Sequence, residues 1–182
     1  RSVCATLDGR YVMAGYRDDP NTAEDLVASL WGTGGWSTVL SGSGTDVGNC
    51  VVRTSDGGYV VTGYTTSYGA GQRDALATKF SPSGDCLWTR VWGGDQDDQA
   101  LGVIEGADGN LYVAGYSKSY NSLHRSDLFL ARVPASGTGS VAYTVVDDPG
   151  IPYPNCEGVC VAEVAGGFVV AGNRTTLSGT IG

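Results

Sequence analysis

Gly57-Gly58-Tyr59-Val60-Val61-Thr62-Gly63-Tyr64 is the stretch that decides the fold, because the chain contains four versions of it. The others are Gly9-Arg10-Tyr11-Val12-Met13-Ala14-Gly15-Tyr16, Gly109-Asn110-Leu111-Tyr112-Val113-Ala114-Gly115-Tyr116 and Gly166-Gly167-Phe168-Val169-Val170-Ala171-Gly172-Asn173. Their last residues, Tyr16, Tyr64, Tyr116 and Asn173, follow one another at intervals of 48, 52 and 57 residues. Such a period indicates a repeated supersecondary unit with loop insertions.

Two aspartates recur in the units, one before the repeated stretch and one at the start of the next apolar run. They are Asp8, Asp56 and Asp108 in the first position, and Asp25, Asp74 and Asp127 in the second. Asp-Gly between apolar runs is a strong hairpin signal, because glycine supplies the positive φ that a tight turn needs. A Gly-rich turn and an aromatic-led run, Trp36 to Leu40 or Trp88 to Trp92, complete the unit. Each unit therefore predicts four short strands.

The central runs predict strands that are buried on both faces. Val60 to Gly63 and Leu128 to Ala131 are apolar or small throughout, whereas a sheet with one solvated face would alternate more strictly. The sequence thus predicts an all-β protein, a β-propeller of four-stranded antiparallel blades, with other repeat arrays as the alternative. It is interpreted as a single propeller region, 1–182, with units 1–45, 46–97, 98–154 and an incomplete 155–182. About 3.5 blades do not close a ring of four to eight, so a larger propeller is expected.

The repeat resembles a known family. Its pattern of Asp-Gly-Gly-Tyr, Gly-Tyr-Thr, an Asp-led strand, a Trp-led strand and Gly-Gly before Asp-x-Ala is similar to the SBBP-type β-propeller repeat of secreted and surface proteins. The closest match runs from Ser55 to Ala100, and weaker copies cover nearly the whole chain. The fourth copy departs from the pattern at Ala165 and Asn173. The resemblance implies a seven-bladed propeller and an extracytoplasmic setting, and it implies no activity.

Composition narrows the range of partners and locations. The net charge is −8 and the pI is near 4.4, and a surface for nucleic acid or an anionic membrane would need clustered basic residues. No apolar run reaches the roughly 20 residues of a membrane helix. The cysteines suit an oxidising compartment, which makes Cys4, Cys50, Cys86, Cys156 and Cys160 candidates for disulfide bonds. Asn173-Arg174-Thr175 is a candidate glycosylation site, so an extracellular or cell-surface location is expected.

No catalytic or cofactor motif stands out. The aspartates recur with the unit, whereas a catalytic pair needs one distinctive environment, so they are interpreted as turn and backbone acceptors. His124, the single histidine, is interpreted as an exposed loop residue. Asp95, Asp97 and Asp98 are the candidate calcium ligands, but they lack the EF-hand spacing and solvated loop charges are favoured. No metal and no cofactor are expected.

These observations favour a non-enzymatic structural or protein-interaction module, in an extracellular assembly or filament. Its expected partners are further blades of the same polypeptide or other subunits. The alternative is a glycan-binding propeller that uses exposed loop aromatics, with Tyr68 and Tyr120 as candidates because they lie in the loops after the second strand. A second alternative is part of an enzyme whose site lies outside this chain. Trp36 and Trp88 occupy equivalent positions and are expected to pack between blades.

Overall fold

A computed structural model describes residues 1–18, 23–120, 125–146 and 154–176, which form an all-β protein with no helix in these ranges. The strands are β1 (Ser2–Ala5), β2 (Tyr11–Asp18), β3 (Glu24–Trp31), β4 (Trp36–Leu40), β5 (Asp46–Arg53), β6 (Tyr59–Thr65), β7 (Asp74–Phe80), β8 (Cys86–Trp92), β9 (Asp98–Glu105), β10 (Leu111–Ser117), β11 (Asp127–Val133), β12 (Ala142–Val146), β13 (Pro154–Val164) and β14 (Gly167–Thr176). Within the described ranges, no helix is long and apolar enough to cross a membrane.

The strands form four antiparallel sheets, one for each repeat unit. The first sheet has the order β1-β2-β3-β4, the second β5-β6-β7-β8, and the third β9-β10-β11-β12, while β13 and β14 form the fourth. Within each sheet, every strand pairs with the strands next to it in the sequence, as a meander of hairpins requires. The prediction of four antiparallel strands per complete unit is confirmed.

The Asp-Gly pairs make the turns between the first two strands of each sheet. In the second sheet, Thr54 donates its N–H to the Gly58 carbonyl at 2.9 Å, and Gly57 adopts a φ of 84°. The Asp56 carboxylate accepts a hydrogen bond from the Gly58 N–H at 3.0 Å, which stabilises the turn. Asp8 and Asp108 do the same, at 3.3 and 2.9 Å. The interpretation of these aspartates as turn acceptors is confirmed.

Gly63 in β6 marks a close approach of two strands. The pairing of β5 with β6 shifts register between Gly48 and Cys50, and this irregularity brings the Val47 carbonyl against Gly63. A Cβ atom on Gly63 would overlap that carbonyl oxygen. A bulge of this kind increases local twist, and only glycine leaves room for it. The repeated glycine of the sequence thus reflects a steric requirement.

The sheets pack face to face in chain order. The first strand of each later sheet contacts the first three strands of the preceding sheet: β5 contacts β1, β2 and β3, and the relation recurs for β9 and β13. Strands β6 and β7 of the second sheet are buried along their whole length. The prediction that central strands are buried on both faces is therefore confirmed for this sheet.

Two apolar cores separate the first three sheets. The core between the first and second sheets consists of Val12, Ala14, Leu26, Ala28, Leu30, Val51, Tyr59, Val61, Leu76 and Phe80. The core between the second and third sheets consists of Val60, Ala75, Ala100, Val103, Leu111, Val113, Phe129, Ala131 and Val133. In β6, Val61 belongs to the first core and Val60 to the second, which is the alternation that a strand imposes on its two faces.

A tryptophan joins successive sheets at the same place in two units. The Trp36 ring lies 6.2 Å from the Phe80 ring, and its indole N–H donates to the Pro82 carbonyl at 3.0 Å. Trp88 repeats this contact with the Ala135 carbonyl at 3.2 Å. Both tryptophans thus reach the β7–β8 or β11–β12 turn of the following sheet. Their expected packing between units is confirmed.

A carboxylate clamp also joins neighbouring sheets, on the side of the Asp-Gly turns. Glu105 of the third sheet accepts the Ser55 N–H at 2.6 Å and its hydroxyl at 2.9 Å, both from the second sheet. Glu163 of the fourth sheet accepts the Ala107 N–H at 2.8 Å. The strand pairing places Arg53 at the corresponding position of the second sheet. The first and second sheets therefore lack this clamp.

Candidate functional site

The edge of the sheets opposite the Asp-Gly turns carries buried carboxylates. In the second sheet, the first strand, β5, and the third strand, β7, both begin at this edge with an aspartate. Aspartates occupy the corresponding places in the third sheet. The set, called here the acidic edge, comprises Asp25, Asp46, Asp74, Asp98 and Asp127, all of them buried. Buried carboxylates require compensating donors. The side chains around them show how the edge is built.

The Asp46 carboxylate is held by two hydroxyls. Thr65 donates to Oδ1 across the β5–β6 pair, and Ser67 donates to Oδ2 at 2.8 Å from the following loop. Asp98 is held similarly in the third sheet, by the Ser119 hydroxyl at 2.6 Å and the Gly94 N–H at 2.8 Å. These bonds tie the start of a sheet to the loop after its second strand. That loop carries Tyr68 in one unit and Tyr120 in the next.

Asp74 and Asp98 approach one another where the second and third sheets meet. The Asp98 N–H donates to the Arg73 carbonyl at 2.7 Å, and a Cβ atom on Gly93 would crowd both carboxylates. Asp74 accepts the N–H groups of Ala70 at 3.0 Å and Gly71 at 3.3 Å. Burial raises the pKa of Asp74, and the nearby charge of Asp98 raises that pKa further. The expected role of Asp74 as a backbone acceptor beside a strand is confirmed.

A cleft of about 510 Å³ opens at this edge between the first and second sheets. Its lining residues are Leu40, Ser41, Asp46, Tyr68, Leu76, Thr89, Arg90 and Val91. The volume lies in the range of small-molecule sites, and such sites combine an apolar wall with a few polar groups. Tyr68 stands at the cleft with 57% of its surface exposed, and its hydroxyl donates to the Ser41 carbonyl at 3.3 Å. The predicted loop aromatic therefore borders a cleft.

The strand pairing identifies the residues between the second and third sheets that correspond to the lining of this cleft. Leu76 pairs with Gly63 and Val91, and Phe129 pairs with Gly115 and Val145, so the two residues are equivalent. By the same registers, Leu40 is equivalent to Trp92 and Thr89 to Tyr143. The Trp92 and Phe129 rings contact edge to face at 6.3 Å. Aromatic rings thus stand where the first interface has smaller side chains.

Tyr120 lies against another ring. Its ring is 4.9 Å from that of Tyr143, and 41% of its surface is exposed. Burial raises the pKa of Tyr120, and its hydrogen bond with Tyr143 raises that pKa further. The two sequence candidates therefore differ: Tyr68 faces an open cleft, while Tyr120 is stacked within its own sheet.

The candidate calcium ligands contact donors of the protein. Asp97 Oδ2 accepts the Lys118 ammonium at 3.1 Å, and Asp98 is bonded as described above. Asp95 lies beside Gly71 in the adjoining loop. Among the residues that the structure describes, no three His, Cys, Asp or Glu side chains are grouped to hold a metal ion. His124 lies outside the described residues.

The structure does not support the expectation of disulfide bonds. Cys4, Cys50, Cys86 and Cys160 are thiols, and no disulfide is formed within the described ranges. Cys4 packs against the first core and Cys50 against the second. Cys156 and Cys160 both lie in β13, where four residues span roughly 13 Å, too far for a bridge. Burial raises the pKa of the Cys4 thiol, which disfavours its thiolate.

The candidate glycosylation residue, Asn173, is exposed in β14 and pairs with Glu157. Its modification stays a prediction, and an exposed side chain is what the modification needs. Comparison of the chain with protein-family models and with curated proteins gives no match.

The sequence reasoning missed the cleft. The signal was present in the aligned units, where Leu40, Leu76 and Thr89 replace the rings of Trp92, Phe129 and Tyr143. Seeing it requires knowing that these three positions meet in space. That information comes from the strand registers and from the packing of one sheet on the next.

Proposed function

We propose that the chain is part of a β-propeller that serves as a non-enzymatic structural and protein-interaction module, outside the cell or at its surface. The observation that carries this proposal is an apolar outer face on the first sheet. This face, called here the docking face, consists of Val3, Tyr11, Met13 and Trp31. The strand registers make these residues equivalent to Val51, Tyr59, Val61 and Phe80 of the second sheet.

The same positions differ greatly in exposure. In the second sheet, Val51, Tyr59, Val61 and Phe80 face the first sheet and are 3%, 5%, 0% and 0% exposed. In the first sheet, Val3, Tyr11, Met13 and Trp31 are 59%, 55%, 43% and 57% exposed. Contiguous apolar side chains on a sheet face mark an interaction surface. The docking face therefore has the same kinds of residue as the face of the second sheet that packs against the first sheet.

The fourth sheet exposes the opposite face of the unit, the one that packs against the following sheet in the earlier units. Val169 in β14 is equivalent to Val12 and Val60, which are both fully buried against the next sheet, yet Val169 is 54% exposed. The two ends of the stack are therefore unlike. Unlike faces associate head to tail, and such contacts close a ring when the rotation per unit allows it. The partner is a further unit of the same repeat, in the same polypeptide or in another subunit.

Several features support the rest of the proposal. The turn aspartates Asp8, Asp56 and Asp108 bind their own turns, which is a structural use of the carboxylates that recur most regularly. The progression of sheets, each packed on the last through its first strand, supports the proposal of propeller blades. The resemblance to SBBP-type repeats favours an extracytoplasmic setting, and the net charge of −8 disfavours nucleic acid as a partner.

Sedimentation velocity over a concentration series tests the docking face. We expect the chain to associate, and Trp31→Glu to abolish association because it puts a charge into the apolar contact. Leu87→Glu is the matched control, since Leu87 is also 57% exposed but lies on the outermost strand β8. A chain that stays monomeric at every concentration would contradict the proposal. Equal loss of association in both variants would contradict it as well.

A further inference from the structure

We propose that the cleft between the first and second sheets binds a neutral sugar residue, with Tyr68 as the stacking ring. The starting observation is the difference between two equivalent interfaces. Leu40, Leu76 and Thr89 line the cleft, and rings stand at the corresponding places of the next interface. The backbone registers of these two interfaces are the same, so the three smaller side chains leave room in the first interface where rings stand in the second.

The walls of the cleft suit a pyranose ring. Leu40, Leu76 and Val91 supply an apolar wall, and the exposed Tyr68 ring stands beside it. A pyranose has a C–H face that packs against such surfaces and a rim of hydroxyls that need partners. Apolar walls with few polar groups are the usual composition of a small-ligand site, and tyrosine adds a polar tip to a large apolar ring.

The polar groups of the cleft are mainly acceptors and hydroxyls. The Ser41 carbonyl already accepts the Tyr68 hydroxyl at 3.3 Å, which orients the ring. The Thr89 hydroxyl is 3.2 Å from that of Thr78, and Asp46 is held by Thr65 and Ser67. Carbonyl and carboxylate oxygens retain lone pairs for further donors. Sugar hydroxyls can donate to them.

The electrostatics of the cleft favour a neutral ligand. The Arg90 guanidinium donates to the Gly137 carbonyl at 3.1 Å and to the Gly139 carbonyl at 2.6 Å, so it is engaged by the third sheet. An anionic ligand would be repelled by the Asp46 carboxylate, while the Nη1 and Nη2 groups of Arg90 already donate to carbonyls of the third sheet. An organic cation would be attracted by the Asp46 carboxylate but repelled by the Arg90 guanidinium of the same lining. A neutral polyol avoids both penalties.

The proposed site is independent of the docking face. The cleft lies between the first and second sheets, whereas Trp31 lies on the opposite side of the first sheet. Ligand binding and association of the chain can therefore succeed or fail separately. Trp31→Glu is expected to leave the affinity for sugar unchanged.

Saturation-transfer NMR with glucose, galactose, mannose, N-acetylglucosamine and their short oligomers tests the proposal, with sialic acid and choline as charged probes. We expect a signal from at least one neutral sugar. Leu40→Trp restores the ring of the second interface and should lower the affinity at least tenfold, as should Tyr68→Ala. Tyr120→Ala is the matched control and should keep the affinity within twofold.

Far-UV circular dichroism and the thermal midpoint establish that each variant is folded, and Thr89→Tyr is a second filling variant should Leu40→Trp misfold. Three results would overturn the proposal. They are the absence of binding by every neutral probe, unchanged binding after the cleft is filled, and binding of choline or sialic acid alone.

Discussion

The Trp36 indole of the first sheet donates its N–H to the Pro82 carbonyl of the second sheet, at 3.0 Å. This bond fixes one sheet relative to the next through the turn that joins β7 to β8. The contact recurs between Trp88 and Ala135 at 3.2 Å, so it belongs to the repeat. Its contribution can be measured at two equivalent places in the same molecule.

We expect Trp36→Phe to lower the free energy of unfolding by about 1 kcal/mol, the worth of one hydrogen bond. Trp88→Phe should have the same effect, because it removes the equivalent bond. Urea denaturation followed by circular dichroism measures both. Leu87→Ala, beside Trp88 but exposed, is the control and should change stability by less than about 0.5 kcal/mol. A loss at only one tryptophan would show that the contact is not a repeated one.

Asp56 and Asp108 occupy equivalent turns but have different partners. The Lys79 ammonium is buried and donates to Asp56 at 2.7 Å and to Thr54, whereas Asp108 has an exposed guanidinium, Arg132, at 3.6 Å. We expect Asp56→Asn to cost about 1–2 kcal/mol, because it leaves a buried ammonium without its counter-charge, an effect moderated by the exposure of Asp56. Asp108→Asn should cost less than Asp56→Asn, because the ion pair of Asp108 with Arg132 is exposed to solvent. Equal costs, measured by urea denaturation, would exclude a special role for Lys79.

The pH dependence of stability should separate Asp56 from Asp74. Burial tends to raise the pKa of Asp56, but the hydrogen bonds from Lys79 and Thr54 outweigh it and lower that pKa to about 2. A lowered native pKa means that the stabilisation is present above the unfolded value, about 4, and is lost as pH falls towards 2. Asp56→Asn should therefore flatten the stability curve in this acid range. An unchanged curve would contradict the pairing with Lys79.

Asp74 should act in the opposite sense, because its pKa is raised by burial and by Asp98. Stabilisation by a group with a raised native pKa is present below the unfolded value and is lost as pH rises through the native one. We expect Asp74→Asn to increase stability at pH 7, where its amide can donate to the Asp98 carboxylate, and to change it little near pH 3. Asp85→Asn is the control, and it should lower stability at pH 7, because hydroxyls of Ser83 and Ser81 lower the pKa of Asp85. Thermal unfolding at the two pH values distinguishes these outcomes.

Gly63→Ala should destabilise the protein by more than about 1 kcal/mol, because its Cβ would overlap the Val47 carbonyl oxygen. Gly167→Ala is the matched control in β14. A Cβ atom at Gly167 would meet nothing within 4 Å, and its backbone is not in the left-handed region. This variant should be neutral or slightly stabilising. Denaturation midpoints that respond equally to both changes would contradict the steric account.

The repeat made most of the fold predictable. Strands, turns and sheet order follow from the aligned copies, because local hairpins are encoded by residues that are close in sequence, such as Asp56 and Gly57. Equivalent positions also predicted the packing of Trp36 and Trp88. The candidate aromatics Tyr68 and Tyr120 were placed correctly in loops, but Tyr68 borders the cleft whereas the Tyr120 ring lies 4.9 Å from that of Tyr143.

Features that depend on where a side chain reaches in space were not predictable from one sequence. Lys79 resembles a solvated charge, but its long side chain runs through the interface to the Asp56 turn. The cysteines suggested disulfides, but a bridge depends on the distance and direction of two side chains, and β13 holds Cys156 and Cys160 apart. Both features depend on distances between side chains, which the pattern of strands in the sequence does not specify.

Arg53 occupies the position at which Glu105 and Glu163 bind the preceding sheet. Because arginine cannot accept those hydrogen bonds, we expect the sheets to unfold locally in a fixed order. The second and third sheets are joined through Ser55 and Glu105, whereas the first and second sheets lack this clamp and are joined by their core, by Trp36 and by hydrogen bonds such as that from Thr38 to the Gly84 carbonyl. Regions with fewer constraints open at lower free energy. Amide hydrogens of β2 and β3 should thus exchange with solvent before those of β6 and β7, and the molecule would come apart from the first sheet inward.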